Sequence, residues 1–245
     1  MERKVAVVTG ASAGIGAATA KELAKQGFEV VLGARRKDRV QALAKELGGR
    51  AYALDVTDPE SVKAFAAQVP VAAVLVNNAG LSRGLDPIEK GDEQHWREML
   101  ETNVMGLLRV TRALLPALSK APLAHIVNVG SIAGLEVYPG GGGYTATKHA
   151  VRAISQTLRI ELVGRPIRVT EIDPGMVETE FSLVRFDGDA ARAKKVYEGL
   201  TPLTAEDVAE CIGWAVSRPA HVNIDQMVVK PIAQATATLA SRKTS

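Results

Sequence analysis

The stretch KVAVVTGASAGIG occupies residues 4–16 and has the pattern of a strand, a turn and the start of a helix. Val5–Val8 is a short apolar run typical of a buried parallel strand. Glycines then let the backbone approach a ligand closely, and the alanine-rich residues 17–24 favour a helix whose N-terminus presents free N–H groups. This combination predicts a dinucleotide phosphate site. The spacing Gly10-x-x-x-Gly14-x-Gly16 differs from the common Gly-x-Gly-x-x-Gly, so a glycine-rich turn without a ligand is the alternative.

Short apolar runs alternate with helical patterns along the rest of the chain. The alternation predicts an α/β fold, a single doubly wound Rossmann-type domain over residues 1–245 with a mainly parallel seven-stranded sheet. The two longest predicted helices are His95–Leu118 and Tyr144–Val163. The predicted strands are Val5–Val8, Val30–Gly33, Ala51–Leu54, Val74–Asn77, His125–Val129, Arg168–Ile172 and Gln226–Val229.

Small and polar residues directly follow four of these strands. They are Thr9-Gly10, Asn77-Asn78, Ser131 and Pro174-Gly175. In a doubly wound sheet, ligands bind beyond the carboxyl ends of the strands, near the point where the strand order reverses. We therefore expect these residues to converge on one site.

A tyrosine and a lysine, Tyr144 and Lys148, stand four residues apart in a predicted helix. Side chains at that spacing share a helix face, so an ammonium can lie beside a phenol. The expected consequence is a lowered pKa for the Tyr144 phenol, which is ordinarily near ~10. A phenol of this kind can give or take a proton near neutral pH.

Together these motifs resemble the short-chain dehydrogenase/reductase family over residues 4 to about 230. Thr9-Gly10-x-x-x-Gly14-x-Gly16 is similar to its cofactor loop, and Asn77-Asn78-Ala79-Gly80 to the motif after its fourth strand. Pro174-Gly175 followed by Thr179 is similar to its nicotinamide-side motif. The resemblance implies an oxidoreductase that interconverts an alcohol and a carbonyl by hydride transfer.

The same resemblance implies a catalytic tetrad of Asn103, Ser131, Tyr144 and Lys148. Tyr144 is the expected proton donor in reduction and acceptor in oxidation. Lys148 is expected to lower the pKa of Tyr144 and to hold the nicotinamide ribose. Ser131 is expected to hydrogen-bond the substrate carbonyl oxygen, and Asn103 to anchor a water that links Lys148 to solvent. Read singly, Ser131 is a helix cap, Asn103 a polar residue within a helix and Tyr144 a packed aromatic.

The end of the second predicted strand favours NADP over NAD. An acidic residue there selects NAD, but this chain has Ala34 followed by Arg35 and Arg36. A guanidinium binds a 2′-phosphate through paired hydrogen bonds, whereas a solvated loop is the alternative role for the two arginines. Within the resemblance, the predicted cofactor-binding residues are Gly10, Ser12, Ala13, Gly14, Ile15, Gly16, Arg35, Arg36, Asp55, Val56, Asn78, Ala79, Gly80, Tyr144, Lys148, Pro174, Gly175, Val177 and Thr179.

Residues 179–204 lack a clear strand and follow the nicotinamide-side motif, so we expect a substrate lid there. Residues 180–189 and 219–224 resemble the NADP-dependent 3-hydroxy acid dehydrogenases that oxidise serine and related acids. The expected substrate residues are Ser131, Tyr144 and Arg185, whose guanidinium could bind a carboxylate. An ion pair on the surface or between subunits is an equal alternative for Arg185. A broad ketone or aldehyde reductase and a non-catalytic dinucleotide sensor are the alternative functions.

Composition narrows the remaining possibilities. The 245 residues include 30 Lys plus Arg against 27 Asp plus Glu, with no long basic run, which argues against nucleic-acid binding. The single cysteine excludes an internal disulfide, and the sequence has neither a signal-peptide pattern nor an apolar stretch of the ~18 residues that a membrane helix needs. We therefore expect a cytoplasmic protein. The histidines lack the spacing of metal ligands, so no metal site is predicted.

Two further expectations concern assembly and the C-terminus. The resemblance implies a homodimer or homotetramer packed through the two long helices. The apolar residues of His95–Leu118 that permit such packing are Met99, Val104, Leu107 and Leu114. The last residues, Ser241 to Ser245, follow a tail rich in small residues and are expected to be disordered.

Overall fold

A computed structural model describes residues 3–243. The strands are β1 (Val5–Thr9), β2 (Glu29–Ala34), β3 (Arg50–Ala53), β4 (Val74–Asn77), β5 (Ala124–Val129), β6 (Ile167–Pro174) and β7 (Gln226–Val229). The helices are α1 (Gly14–Lys25), α2 (Lys37–Leu47), α3 (Pro59–Ala66), α4 (Glu93–Leu100), α5 (Leu107–Leu118), α6 (Gly142–Glu161), α7 (Phe181–Arg185), α8 (Ala190–Lys195) and α9 (Ala205–Val216). A π-helical segment, Glu101–Gly106, joins α4 to α5, and short 3₁₀ turns occupy Ile88–Lys90 and Ile132–Gly134.

The seven strands form one sheet in the order β3-β2-β1-β4-β5-β6-β7, and every pairing is parallel. The strand order reverses between β1 and β4, which is where a doubly wound sheet opens a crevice for ligands. The predicted fold class is confirmed, and each predicted strand lies within two residues of an observed one. β6 is longer than predicted because it continues to pair with β7 as far as Pro174 opposite Val229.

The core lies on both faces of the sheet, as the alternation of side chains along a strand requires. Val7 of β1 and Leu75 of β4 pack with α3 and α5 on one face. Ala6 and Val8 pack with α1 and α9 on the other. Strands buried on both faces favour apolar residues at successive positions, which is why β1 and β4 read as short apolar runs. β6 departs from this pattern, because Glu171 and Asp173 are buried in it.

The predicted helix His95–Leu118 begins earlier, at Glu93, because the Asp92 side chain caps it by accepting from the Gln94 N–H. The expectation about its apolar face is wrong in part. Met99, Leu107 and Leu114 are buried within the chain, so they cannot form an interface with another copy. The exposed large apolar residues of this region are Leu100, Met105 and Leu108.

The segment predicted as a lid, residues 179–204, folds as α7 and α8 with turns between them. The expectation of a disordered C-terminus is wrong for Ser241 to Lys243. The Arg242 side chain donates to Val196 O (3.0 Å) and Glu198 O, and the Lys243 N–H donates to Gly199 O (2.7 Å). The last turn of the lid region therefore orders this part of the tail. Thr244 and Ser245 lie outside the described residues.

Candidate active site

The turn after β1 brings its backbone against the loop after β4. Gly10 has φ +65°, and a Cβ built on it would lie 2.9 Å from Ala79 Cα, so both its conformation and its surroundings require glycine. The side-chain amide nitrogen of Asn78 donates to Thr9 O (3.0 Å) and Gly10 O (3.2 Å). The Thr9 hydroxyl accepts from the N–H groups of Asn78 (3.0 Å) and Ala79 (3.1 Å). Thr9 thus joins two strand ends, a role that its sequence position alone did not reveal.

Helix α1 begins at Gly14 directly after this turn, and its N-cap residue Ala13 makes no side-chain cap hydrogen bond. The N–H groups of the first helical turn are therefore open to a ligand, and the helix dipole favours an anion there. A cavity of about 640 Å³ starts at this turn and runs along the carboxyl edge of the sheet. It has the size of a small-molecule or cofactor site.

The cavity brings together nearly all the predicted site residues. Every predicted cofactor-binding residue lines it except Gly16, and every predicted catalytic or substrate residue except Asn103. Gly16 still shapes the turn, because a Cβ there would lie 2.4 Å from Asn78 Nδ2. Several lining residues were not predicted, among them Tyr138, Phe181, Tyr197, Gln234, Ala237 and Thr238. The last three reach the cavity only because the C-terminal tail folds back, which no local pattern indicates.

At the end nearest β2, the cavity is lined by two arginines. Arg36 donates to Ser12 Oγ (3.0 Å) and forms an ion pair with Glu180 (2.6 Å), which also pairs with Arg39 (2.8 Å). Hydrogen bonds from Arg39 and Arg36 hold the pKa of Glu180 below its usual value. Arg35 makes no ion pair with any described residue. Of the two arginines, Arg35 is therefore the one whose guanidinium has no carboxylate partner among the described residues and can bind an anion.

The centre of the cavity holds Tyr144 and Lys148, both buried and one turn apart on α6. The Lys148 ammonium donates to Val129 O (2.8 Å) and lies 5.8 Å from the centroid of the Tyr144 ring. Burial lowers the pKa of Lys148 to about 8, and the charges of Asp173 and Glu171 oppose that effect. The Lys148 side chain can therefore change its charge much closer to neutral pH than an exposed lysine does.

The expectation that Lys148 lowers the pKa of Tyr144 is not met in the protein alone. Burial raises the pKa of Tyr144, because the phenolate loses its hydration. Arg185 and the Ser131 hydroxyl act in the opposite direction. The guanidinium carbon of Arg185 lies 5.2 Å from the ring centroid, whereas the Lys148 ammonium is turned toward Val129.

Ser131 and Asn103 both support the backbone around the site. The Ser131 hydroxyl accepts from the Ala133 N–H (3.1 Å) and caps the short 3₁₀ turn, while its side chain also lines the cavity. Asn103 lies in the π-helical segment, exchanges two hydrogen bonds of 2.8 Å with the Leu81 backbone and donates to Thr147 Oγ1 (3.1 Å). Such π-helical segments occur often at functional sites. The water predicted to bind at Asn103 stays a prediction.

Arg185 reaches the cavity from α7. Its guanidinium donates to Ser82 Oγ (3.0 Å) and Tyr138 Oη (3.3 Å) and stacks near Phe181, 5.3 Å from the ring centroid. Within residues 3–243, no acidic side chain pairs with it. The surface ion pair considered as an alternative is therefore absent from the described chain. Ser82, wholly buried, is a contributor that the sequence did not single out.

No group of three His, Cys, Asp or Glu side chains among residues 3–243 is placed to hold a metal ion. Over the same residues, no helix is both long enough and apolar enough to cross a membrane.

The chain belongs to the short-chain dehydrogenase family, whose family profile matches residues 4–188. An uncharacterised oxidoreductase of Mycobacterium tuberculosis is 59% identical over 236 residues, covering 96% of this chain and 94% of the relative. The NADP-dependent 3-hydroxy acid dehydrogenase of Escherichia coli K12 is 42% identical over 242 residues, covering 96% and 98%. The closed form of a serine dehydrogenase complexed with NADP⁺ has a TM-score of 0.92 at 41% identity, covering 98% of this chain and all of that one. The predicted family and enzyme class are confirmed.

Proposed function

We propose that this chain is an NADP-dependent oxidoreductase that interconverts 3-hydroxy acids and the corresponding carbonyl compounds, with Tyr144 as the general acid and base. The observation that carries the substrate class is the position of Arg185. Its guanidinium lies in the cavity beside the Tyr144 ring, with no acidic partner among the described residues. A carboxylate on the substrate is the group that such an arginine binds best.

The comparisons confirm NADP as the cofactor, since relatives at 42–43% identity are named NADP-dependent and a similar structure contains NADP⁺. The residues of this chain fit that molecule. The open N-terminus of α1 suits the pyrophosphate, and Arg35 suits the 2′-phosphate at the end of β2. When bound, NADPH supplies the hydride, and the protein positions the carbonyl and supplies the proton.

Three side chains account for the proton and the orientation of the substrate. Tyr144 is protonated at neutral pH, because burial raises its pKa, so it can donate a proton to a carbonyl oxygen. Ser131 lines the same part of the cavity and can donate a hydrogen bond to that oxygen. The Lys148 charge favours the phenolate that forms, as any nearby cation does. Bound cofactor hydroxyls would give the ammonium partners beyond Val129.

A broad ketone or aldehyde reductase remains the second candidate, since the cavity has apolar walls formed by Leu81, Val184 and Phe181. That activity would not need a cation beside Tyr144. A non-catalytic dinucleotide sensor would need neither the tyrosine nor the lysine in the cavity, and their burial together argues against it.

We also propose a cytoplasmic homodimer or homotetramer that associates through the long helices. The exposed apolar residues of that region, Leu100, Met105 and Leu108, are the surface that supports self-association.

Arg35→Ala should weaken NADPH binding more than NADH binding, because only NADPH carries the 2′-phosphate. A charge-assisted bond of this kind contributes ~1.5–3 kcal/mol, or about one to two decades in affinity. The effect of Arg36→Ala should be smaller, since Glu180 already occupies that guanidinium. Fluorescence titration with NADPH and NADH measures the two affinities. Lys37→Ala, at an exposed position nearby, is the control for the loss of a positive charge. Equal losses for NADPH and NADH in Arg35→Ala would show that the arginine is structural.

Tyr144→Phe should leave NADPH binding nearly intact and lower turnover by roughly 10²–10⁴, the usual contribution of a positioned acid. Initial rates of NADPH oxidation with a carbonyl substrate measure turnover. Tyr52→Phe removes the same hydroxyl from a tyrosine that packs on Phe65 away from the cavity and should keep normal turnover. Near-normal turnover in Tyr144→Phe would overturn the proposed mechanism.

Arg185→Leu should reduce activity on 3-hydroxy acids such as serine while keeping activity on neutral ketones, because only the acids lose a contact. Rates with serine, its methyl ester and a neutral ketone provide the comparison. Arg192→Leu removes a lid arginine that stacks on Phe186 and should change none of the three ratios. If the wild type strongly prefers neutral ketones to every acid, the broad carbonyl reductase is the correct function.

A further inference from the structure

Two buried carboxyl groups lie directly beneath the proposed catalytic residues. Glu171 and Asp173 stand two residues apart on β6, so both point to the same face of the sheet, and they are 2% and 1% exposed. Neither residue touches the cavity, and nothing in the proposed reaction uses them directly. Buried carboxyl groups are costly unless they are paired, which calls for a reason for their presence.

Asp173 holds the backbone of Ser131 in place. Its Oδ1 atom accepts from the Ser131 N–H (2.9 Å), and its Oδ2 atom accepts from the Gln226 side chain of β7 (2.6 Å). Two residues before Ser131, the Val129 carbonyl accepts from the Lys148 ammonium (2.8 Å). The segment Val129–Ser131 is therefore fixed at one end by the ammonium and at the other by the carboxylate.

Gly130 lies between these two anchoring points. A Cβ built on Gly130 would lie 2.0 Å from Asp173 Oδ1 and 2.6 Å from Glu171 Oε1. Both carboxyl groups thus pack against the Gly130 α-carbon, and any other residue would displace them. This packing places the two carboxyl groups beside each other, close enough for each to shift the pKa of the other.

Burial raises the pKa values of both carboxyl groups, which favours the binding of a proton by the pair. The Glu171 Oε1 atom is buried without a hydrogen-bond partner among the described residues, which suits a protonated group that can donate to Asp173. Burial and the neighbouring Asp173 charge raise the pKa of Glu171 to about 8. Two like charges this close cannot both ionise at low cost.

Few other charged groups face the pair. Lys148 approaches from α6, and Tyr144 lies one turn nearer the start of that helix. The neighbours on β5 and β7 are neutral, namely Asn128, Gly130 and Gln226. The Asp225 carboxylate, directly before β7, pairs with Arg159 instead.

We propose that Glu171 and Asp173 act as a proton-sharing pair with one negative charge, in which Asp173 is a positioning residue that holds Ser131 and keeps the buried Lys148 ammonium charged. Glu171 is the neutral member, which orients Asp173 and prevents a second charge from accumulating. The catalytic consequence rests on the proposed function.

The first test compares the pH profiles of kcat/KM for carbonyl reduction in the wild type, Asp173→Asn and Glu171→Gln. Asparagine keeps an acceptor for the Ser131 N–H but removes the charge that acts most strongly on Lys148. Glu171 ionises more readily without its charged neighbour, but its effect on Lys148 is the smaller one and it does not act on Tyr144, so the pKa values of both Lys148 and Tyr144 still fall. The alkaline limb should then move to lower pH by about one unit. Glu171→Gln replaces a neutral donor by a neutral donor and should retain activity within about threefold at pH 6.5.

Exposed Glu161→Gln, at the end of α6, is the matched control and should leave the profile unchanged. A merely structural role for Asp173 would lower kcat without moving the limb, which would overturn the charge role. A shift in Glu171→Gln as large as that in Asp173→Asn would overturn proton sharing, because Glu171 would then be charged.

The second test needs no substrate. The pKa of Glu171 is higher in the folded than in the unfolded protein, so the folded state binds more protons and stability falls as pH rises from about 4.3 to about 8. Relative to Glu171→Gln, the melting temperature of the wild type should fall by about 5 °C or more over this range. Parallel curves for the two proteins would overturn the shared proton.

A third measurement separates the failure of this proposal from failure of the proposed function. NADPH affinity, measured by fluorescence, should be lost at lower pH in Asp173→Asn than in the wild type, because Lys148 loses its charge earlier. If no carbonyl compound is reduced by the wild type, the melting and binding curves still decide the role of the pair. If Asp173→Asn does not fold by circular dichroism, the melting curves of Glu171→Gln decide it.

Discussion

The buried ammonium of Lys148 is the constraint on which the site depends. A lysine in this position is costly, and burial lowers its pKa to about 8 even though the charges of Asp173 and Glu171 oppose that effect. The protein keeps the charge through a hydrogen bond to Val129 O and through the negative charge carried by Asp173 and Glu171. Because the carbonyl belongs to the end of β5, the same bond fixes the loop that carries Ser131.

The fold fixes the positions of the other functional groups around the Lys148 ammonium. Helix α6 presents Tyr144 and Lys148 on one face, and the loops after β1 and β4 meet through Thr9 and Asn78. The lid then adds a second cation, Arg185, whose guanidinium carbon lies 5.2 Å from the centroid of the Tyr144 ring. Two cations therefore lie within 6 Å of the Tyr144 ring, which favours the charge that forms when the phenol donates its proton.

The sheet and the members of the site could be predicted from sequence because both depend on local patterns. Most strands buried on both faces are largely apolar, and four of the site motifs directly follow a strand. Long-range features could not be predicted. The inward position of Arg185 depends on Ser82 and Tyr138, distant in sequence, and the tail enters the cavity by folding back over residues 196–199. The pKa of Tyr144 depends on burial, which spacing between residues does not reveal.

The most direct test of this account is the titration of Lys148, followed by NMR of the lysine side-chain carbons in the protein alone. The signal is assigned by its absence in Lys148→Met. The account predicts that one lysine titrates with a pKa of about 8, well below the others, and that this signal moves to lower pH in Asp173→Asn. A Lys148 pKa at the ordinary value near ~10.4 would contradict the account, since the ammonium would then be neither desolvated nor dependent on the carboxyl pair.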